Sequence, residues 1–285
     1  MPSLRTIRRR ITSTKGIQKI TKAMQTVAAV RLRRAQDRLL SSRPYARKID
    51  EVLKHLAVQT EGHSHPLLMP REEIRVRALL VVTADRGFCG SFNANVIRRA
   101  TKESRETLPA PGLVCVGRKG SETLRRQRVT ILNDYINVFQ SLEYEQAVEI
   151  ANYLMELYVG GQVDRVDVLY NEFKSVGQQS MVMDQLLPVP PLPLETDPHF
   201  SGYVYEPEQN ALLGDLIPQH IRFQIWRVLL ESNAAEEAAR MLAMDNATRN
   251  ASDLIDELTL TANKVRQATI TSELMDIVGG AEALK

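Results

Sequence analysis

Eight consecutive residues, Thr83-Ala84-Asp85-Arg86-Gly87-Phe88-Cys89-Gly90, are the first place in this chain where chemistry could be sought. They follow an apolar run, Val76 to Val82, that reads as a buried strand, and doubly wound folds bind ligands at the C-terminal ends of their strands. A nucleotide site of the common kinds would need G-x-x-x-x-G-K-[ST] or G-x-G-x-x-G, and neither occurs. Gly117-Arg118-Lys119-Gly120-Ser121 has the residue types of a phosphate loop in the wrong order and spacing. The pattern predicts instead that Asp85 caps a helix, with Gly87 and Gly90 permitting a tight turn around Arg86. His55, His63, His65, His199 and His220 show no metal spacing on a helix, and no G-x-S-x-G, H-E-x-x-H or C-x-x-C is present. Asp253, Asp256 and Glu257 read as a solvated helix face. The sequence therefore offers no constellation for catalysis, for a metal or for a cofactor.

The remaining chemically distinctive residues are basic. Arg8, Arg9, Arg10, Arg31, Arg33, Arg34 and Arg38 crowd the N-terminal segment, where residues 1–57 hold 15 Lys and Arg against 3 Asp and Glu. Residues 58–207 carry a net charge of −4 and residues 208–285 a net charge of −5. A basic N-terminal segment and an acidic C-terminal one suggest that the two attract each other, or that the first meets an acidic partner. Contact with nucleic-acid phosphates is the rival reading, but no aromatic side chains are interleaved there for stacking. Cys89 and Cys115 alone make no disulfide framework, and inert thiols in a reducing compartment are expected. No stretch of 18 apolar residues occurs, and the N-terminus lacks the apolar run of a secretory signal, so a soluble chain is expected.

Two long helical patterns frame these residues. From Ser3 to about His55, Leu4, Ile7, Ile11, Thr14, Ile17, Thr21, Met24, Ala28, Arg31 and Ala35 recur at spacings of three and four, with a kink expected at Pro44. From about Pro207 onward the stripe is Met241, Met244, Ala247, Ala251, Leu254, Leu258, Ala262, Val265, Thr269 and Leu274. Each helix is too long for one domain to bury, so the two are expected to pair. Between them, strands at 76–83 and 112–117 alternate with helices at 91–107, 119–127 and 142–158. Two further strands, 165–170 and 178–183, are expected as a hairpin at the sheet edge. The fold class is thus α/β: a long antiparallel coiled coil of the N- and C-terminal helices plus a central Rossmann-like α/β domain. The divisions expected are an N-terminal coiled-coil helix 1–57, a connecting loop 58–74, the α/β domain 75–187, a Pro-rich linker 188–207 and a C-terminal coiled-coil helix 208–285.

Four segments in one order carry a resemblance. Ile20-Thr21-Lys22-Ala23-Met24, Thr83-Ala84-Asp85-Arg86-Gly87, Arg240-Met241-x-Ala243-Met244-x-Asn246-Ala247-Thr248 and Arg266-Gln267-Ala268-Thr269-Ile270-Thr271 resemble the gamma-subunit family of F-type ATP synthases, bacterial type. The extra central segment of chloroplast and cyanobacterial members is missing, which argues against thiol control. The resemblance implies a central-stalk rotor with no catalytic site of its own. It would couple c-ring rotation, driven by proton or sodium flow, to ATP synthesis or hydrolysis at the beta-subunit sites. Implied partners are three alpha and three beta subunits, epsilon and the c-ring, with membrane contact only through the c-ring complex and no nucleic acid. The implied location is peripheral, on the cytoplasmic face of the bacterial plasma membrane. Beta-subunit contact falls to Arg266, Gln267 and Thr271, with Lys22 and Met24 on the facing helix. An apolar tip of Ile270, Leu274, Ile277 and Val278 would turn in an apolar sleeve, and Tyr203, Tyr205 and Glu206 resemble a foot near the c-ring. A nucleic-acid-binding basic helix and a stand-alone structural coiled coil are the alternatives.

Overall fold

The computed structural model describes residues 3–59, 65–190 and 209–283. Two helices, α1 (Leu4–Gln59) and α5 (Gln209–Ala283), enclose an alternation of β1 (Arg77–Val82), α2 (Phe92–Glu106), β2 (Gly112–Val116), α3 (Arg118–Arg126), β3 (Ile131–Tyr135), α4 (Tyr144–Val159), β4 (Arg165–Ser175) and β5 (Gln178–Leu187). At about 1.5 Å per residue α1 and α5 run for roughly 84 and 112 Å. Both α1 and α5 remain helical through an internal proline, Pro44 in α1 and Pro218 in α5. Among the described residues no helix is long and apolar enough to cross a membrane. The chain divides into two compact units, 1–29 with 240–285, and 30–239. These boundaries cut across elements, because α1 and α5 each contribute to both units.

In the unit of residues 30–239 the sheet order is β3-β2-β1-β4-β5, with β1 to β4 parallel and β5 antiparallel to β4. Residues alternate between its faces, as the pleat requires. Leu79 and Val81 point to one side with Val96 and Ala100 of α2 and Leu124 of α3. Ala78, Leu80 and Val82 point to the other, into a core shared with Ile150 and Leu154 of α4, Leu39 and Ile49 of α1, and Ile221, Ile225 and Leu229 of α5. Two sequence expectations need correction. Of the hairpin only β5 lies at an edge, with β4 interior between β1 and β5; β3 forms the other edge. Strand β3 had no sequence counterpart, because Ile131-Leu132-Asn133-Asp134-Tyr135 is polar at its centre and only half-buried.

In the unit of residues 1–29 and 240–285 the buried positions of α1 are Ile7, Thr14, Thr21 and Ala28, one every seven residues, with Leu4, Ile11, Gln18 and Gln25 half-buried between them. On α5 Met244 and Ala251 are buried, and Met241, Thr248, Ile255, Leu258, Ala262 and Val265 are half-buried. This is a 3-4 heptad seam on both helices. It differs from the sequence stripes by one residue at alternate positions. Ile17 is 53% exposed where Gln18 enters the seam, and Leu254 is 44% exposed where Ile255 does. In the other unit Leu32 is buried and Arg31 is not. Following apolar residues alone selects Ile17 and Met24, whereas the period set by Ile7, Thr14 and Thr21 selects the glutamines.

Among the described glycines the tightest backbone approach joins the end of β1 to the start of α3. A Cβ on Gly117, whose φ is +92°, would lie 1.9 Å from the Thr83 carbonyl oxygen. Gly117→Ala is expected to destabilise the unit by about 3 kcal/mol or prevent its folding. Gly87, with nothing within 4 Å, is the control, and Gly87→Ala should change stability by no more than about 0.5 kcal/mol in the same urea titration. Burial, reinforced by the Asp134 carboxylate and opposed by Arg125, pushes the Cys115 thiol up to about 12. Iodoacetamide at pH 8 should therefore leave Cys115 unmodified in the native chain and alkylate it in denaturant, read by peptide mass.

Candidate functional site

Four residues fix the register of the helix pair. The hydroxyls of Thr21 and Thr248 lie 2.8 Å apart, each also within reach of a carbonyl of its own helix, Gln18 and Met244. One layer away the Gln25 side-chain amide donates to Asp245 Oδ1 at 2.8 Å, and Asp245 pairs with Arg249 at 2.8 Å. The partners run in opposite directions, 21 with 248 and 25 with 245, so the helices are antiparallel. Polar groups inside a small-residue seam add little adhesion, but they penalise any slipped register that leaves them unpaired.

The same register places Leu4 opposite the vicinity of Val265, so α5 outruns the start of α1. From Arg266 through Met275 every α5 residue is exposed. Continued seam spacing would fall on Thr269 and Ser272, which are polar. The apolar residues stand elsewhere: Ile270, Leu274, Ile277 and Val278, at i, i+4, i+7 and i+8, share one face of a lone helix and are 49%, 57%, 68% and 56% exposed. Met275, 68% exposed, lies beside them, and no sequence argument had singled it out. Arg266, Gln267 and Thr271 are exposed on the same stretch, with the Thr271 hydroxyl turned onto the Gln267 carbonyl at 3.0 Å.

Lys22 and Met24 lie elsewhere. In the antiparallel register they sit about 20 residues, or roughly 30 Å, along the pair from Arg266 and Gln267. They also lie on different flanks of α1. Lys22 is exposed on the flank with Arg8, Lys15 and Lys19, and its ammonium donates to Gln25 Oε1 at 3.1 Å. Half-buried Met24 borders the opposite flank, where Ile17, Ile20 and Val27 are 53%, 62% and 53% exposed. One side of α1 is thus cationic and the other apolar. Arg8, Arg9 and Arg10 are exposed, and no described carboxylate pairs with them. In the other unit Arg33 and Arg34 are also exposed, whereas Arg31 reaches buried Glu237 at 3.7 Å. Only part of the basic charge is therefore answered by α5.

The turn after β1 is a self-contained device. Asp85 is buried, and its carboxylate accepts from three backbone amides: Arg118 at 3.0 Å, Asn137 at 2.7 Å and Phe139 at 3.3 Å. It caps α3, thirty-three residues away, rather than the helix that follows it. A negative group at this helix N-terminus is what a nucleotide phosphate would supply, and here the chain supplies its own. Gly117 and Gly120 serve the same closure, because the Gly120 amide donates to Thr83 Oγ1 at 2.9 Å. Asn93 fastens the turn from below, accepting from the Ala84 amide at 2.8 Å and donating to the Arg86 carbonyl at 3.3 Å. Cys89 and Ala84 pack with Phe92 and with Ala235 of α5. Arg86 is exposed, Gly87 is half-buried, and Phe88, held at φ +62°, is 73% exposed. An aromatic held out by a left-handed backbone had no sequence signal, since Phe in such a turn reads as core. Tyr203, Tyr205 and Glu206 lie outside the described residues.

The comparisons with known proteins bear on the same geometry. The ATP synthase family profile matches residues 3–284. The ATP synthase gamma chain of Chlorobaculum tepidum is 47% identical over 291 residues, covering 100% of both chains. That of Pelotomaculum thermopropionicum is 48% identical over 285 residues, again covering 100% of both. A chain in the central stalk and c-ring structure of the Tetrahymena thermophila mitochondrial ATP synthase matches with a TM-score of 0.62 and 27% identity, covering 80% of this chain and 99% of that one. A chain of the Euglena gracilis enzyme has a TM-score of 0.68 over 99% of this chain and 94% of that one; at 20% identity it speaks for the fold alone.

The hydroxyl pair of the seam gives a direct test. Thr21→Val or Thr248→Val alone should cost about 1 kcal/mol by leaving one hydroxyl in the seam without its partner, and the double variant should cost less than the two together. Urea unfolding of the four chains completes the cycle.

Proposed function

We infer the role of this chain from one premise: it belongs to the ATP synthase gamma-chain family. It works as the central-stalk rotor, a non-catalytic subunit that couples rotation of a c-ring to ATP synthesis or hydrolysis on beta subunits. The observation that carries this reading is the antiparallel seam that ends in a lone, exposed stretch of α5. A helix pair in fixed register transmits torque, and its unpaired end offers an apolar face to a bearing.

Turning does work only if the shaft differs around its circumference. The cationic and apolar flanks of α1 provide that difference, so each orientation favours one conformation of a surrounding subunit over the others. Such a ligand shifts a population by its differential contacts. On this reading acidic beta-subunit loops meet Arg8, Lys15 and Lys22. Arg266, Gln267 and Thr271 meet a beta-subunit loop further along the shaft. Ile270, Leu274, Ile277 and Val278 turn inside an apolar sleeve formed by alpha and beta subunits. Arg86 and the exposed Phe88 offer a further contact on the α/β unit. Epsilon binding, Tyr203, Tyr205 and Glu206 as the c-ring foot, and a peripheral position on the cytoplasmic face of a bacterial membrane complete the proposal.

Co-expression with tagged alpha and beta subunits, followed by native mass spectrometry, should give one copy of this chain per three alpha and three beta. A chain that failed to associate, or that retained nucleic acid in a salt-sensitive way, would overturn the rotor reading. Stiffness should matter more than any single contact. Arg266→Ala or Gln267→Ala is expected to slow steady-state ATPase roughly fivefold, as for loss of about 1 kcal/mol. Ala251→Pro, at a buried seam position, removes a helix hydrogen bond at a cost of about 3 kcal/mol and should abolish coupled turnover. Unchanged activity and assembly in Ala251→Pro would refute a mechanical role for the pair.

A further inference from the structure

At the N-terminal edge of the sheet, the end opposite Asp85, the starts of β1, β2 and β3 and the ends of α2 and α3 enclose a partly open cavity of about 390 Å³. We propose that it binds a small oxyanion of the phosphate or phosphomonoester class. Arg77, Ser104, Arg105, Gln127 and Arg128 line it, and no Asp or Glu is among its lining residues. Two buried polar atoms without a hydrogen-bond partner, Arg77 Nε and Ser104 Oγ, belong to lining residues, and a buried donor left unsatisfied is costly.

The local charge is in excess. Arg77 donates to Asp167 at 2.7 Å, but Asp167 is also gripped by Arg165 at 2.9 Å, so two guanidinium groups share one buried carboxylate. Arg105 and Arg128 add two more charges, exposed and without an ion-pair partner among the described residues. Against them stand the C-termini of α2 and α3, worth about −0.5 charge each, which leaves the cavity cationic. The nearby Asp164 carboxylate is committed to the Arg75 and Val76 amides, at 2.8 and 2.9 Å. Guanidinium forks and a hydroxyl around a concave surface are suited to tetrahedral oxyanions, which accept several charge-assisted bonds at once.

A free phosphate and a lipid phosphate headgroup share this chemistry, and the test separates them. Equilibrium dialysis of the full chain against radiolabelled inorganic phosphate should show saturable binding of one equivalent. Affinity should weaken at least roughly tenfold in Arg105→Ala/Arg128→Ala, where charge-assisted contacts are lost. Both side chains are exposed, so that variant should fold, and an unchanged melting temperature verifies it. Ser104→Ala should weaken binding by a smaller factor. In parallel, flotation with phosphatidylcholine vesicles containing phosphatidic acid identifies a headgroup if association needs Arg105 and Arg128 but not Arg8 and Arg9. Binding of phosphate without vesicle association identifies the free anion. No saturable binding of either probe, or binding unaffected by Arg105→Ala/Arg128→Ala, overturns the proposal.

Discussion

A helix of 75 residues satisfies its own backbone but not its side chains. Its apolar positions need a long partner, and α1, with 56 residues, is the other long helix among the described residues. The pairing of α1 with α5 along a seven-residue repeat, in the unit of residues 1–29 and 240–285, is therefore the constraint from which the rest follows. It holds the first and last helices of the chain together. It also dictates small residues, such as Ala28, Ala251, Thr21 and Thr248, wherever the two backbones come close. The hydroxyl and amide layers fix which residue faces which, and that register determines where the start of α1 falls along α5.

Within the α/β unit the corresponding constraint is the Asp85 carboxylate. Three backbone amides from two later segments converge on it, so one side chain closes the C-terminal end of the sheet. The closure fills the position where related architectures place a ligand. It turns a binding crevice into a rigid connection, and the base of the same turn packs on α5 through Ala235. A fold associated with nucleotide binding is used here as a brace.

The fold class, the two long helices and most of the sheet were legible because their signals are long and periodic. The finer seam was not. Apolar residues at 17 and 24 compete with glutamines at 18 and 25, and a glutamine can be half-buried when its amide finds Asp245, a partner 220 residues away that no local pattern reveals. Strand β3 escaped notice for a similar reason: Asp134 accepts from Ser121 at 2.6 Å and pairs with Arg125, contacts that exist only once the sheet has formed. Asp85 was legible as a cap but not as the cap of α3, since the helix it serves is distant in sequence. The turn that holds out Phe88 and the arginine-lined cavity both depend on which loops meet in space, and hydrophobic periodicity carries no information about that.

The seven-residue repeat has a handedness. A straight α-helix has slightly more than 3.5 residues per turn, so helices held along a strict heptad seam coil around each other in a left-handed sense. Twist applied in that sense winds the two helices more tightly and presses the Thr21, Thr248 and Gln25 layers together. Twist of the opposite sense unwinds the coil and loads those same hydrogen bonds in tension. The helix pair is therefore a chiral element, wound further by rotation in one sense and unwound by rotation in the other, before any neighbouring subunit is touched.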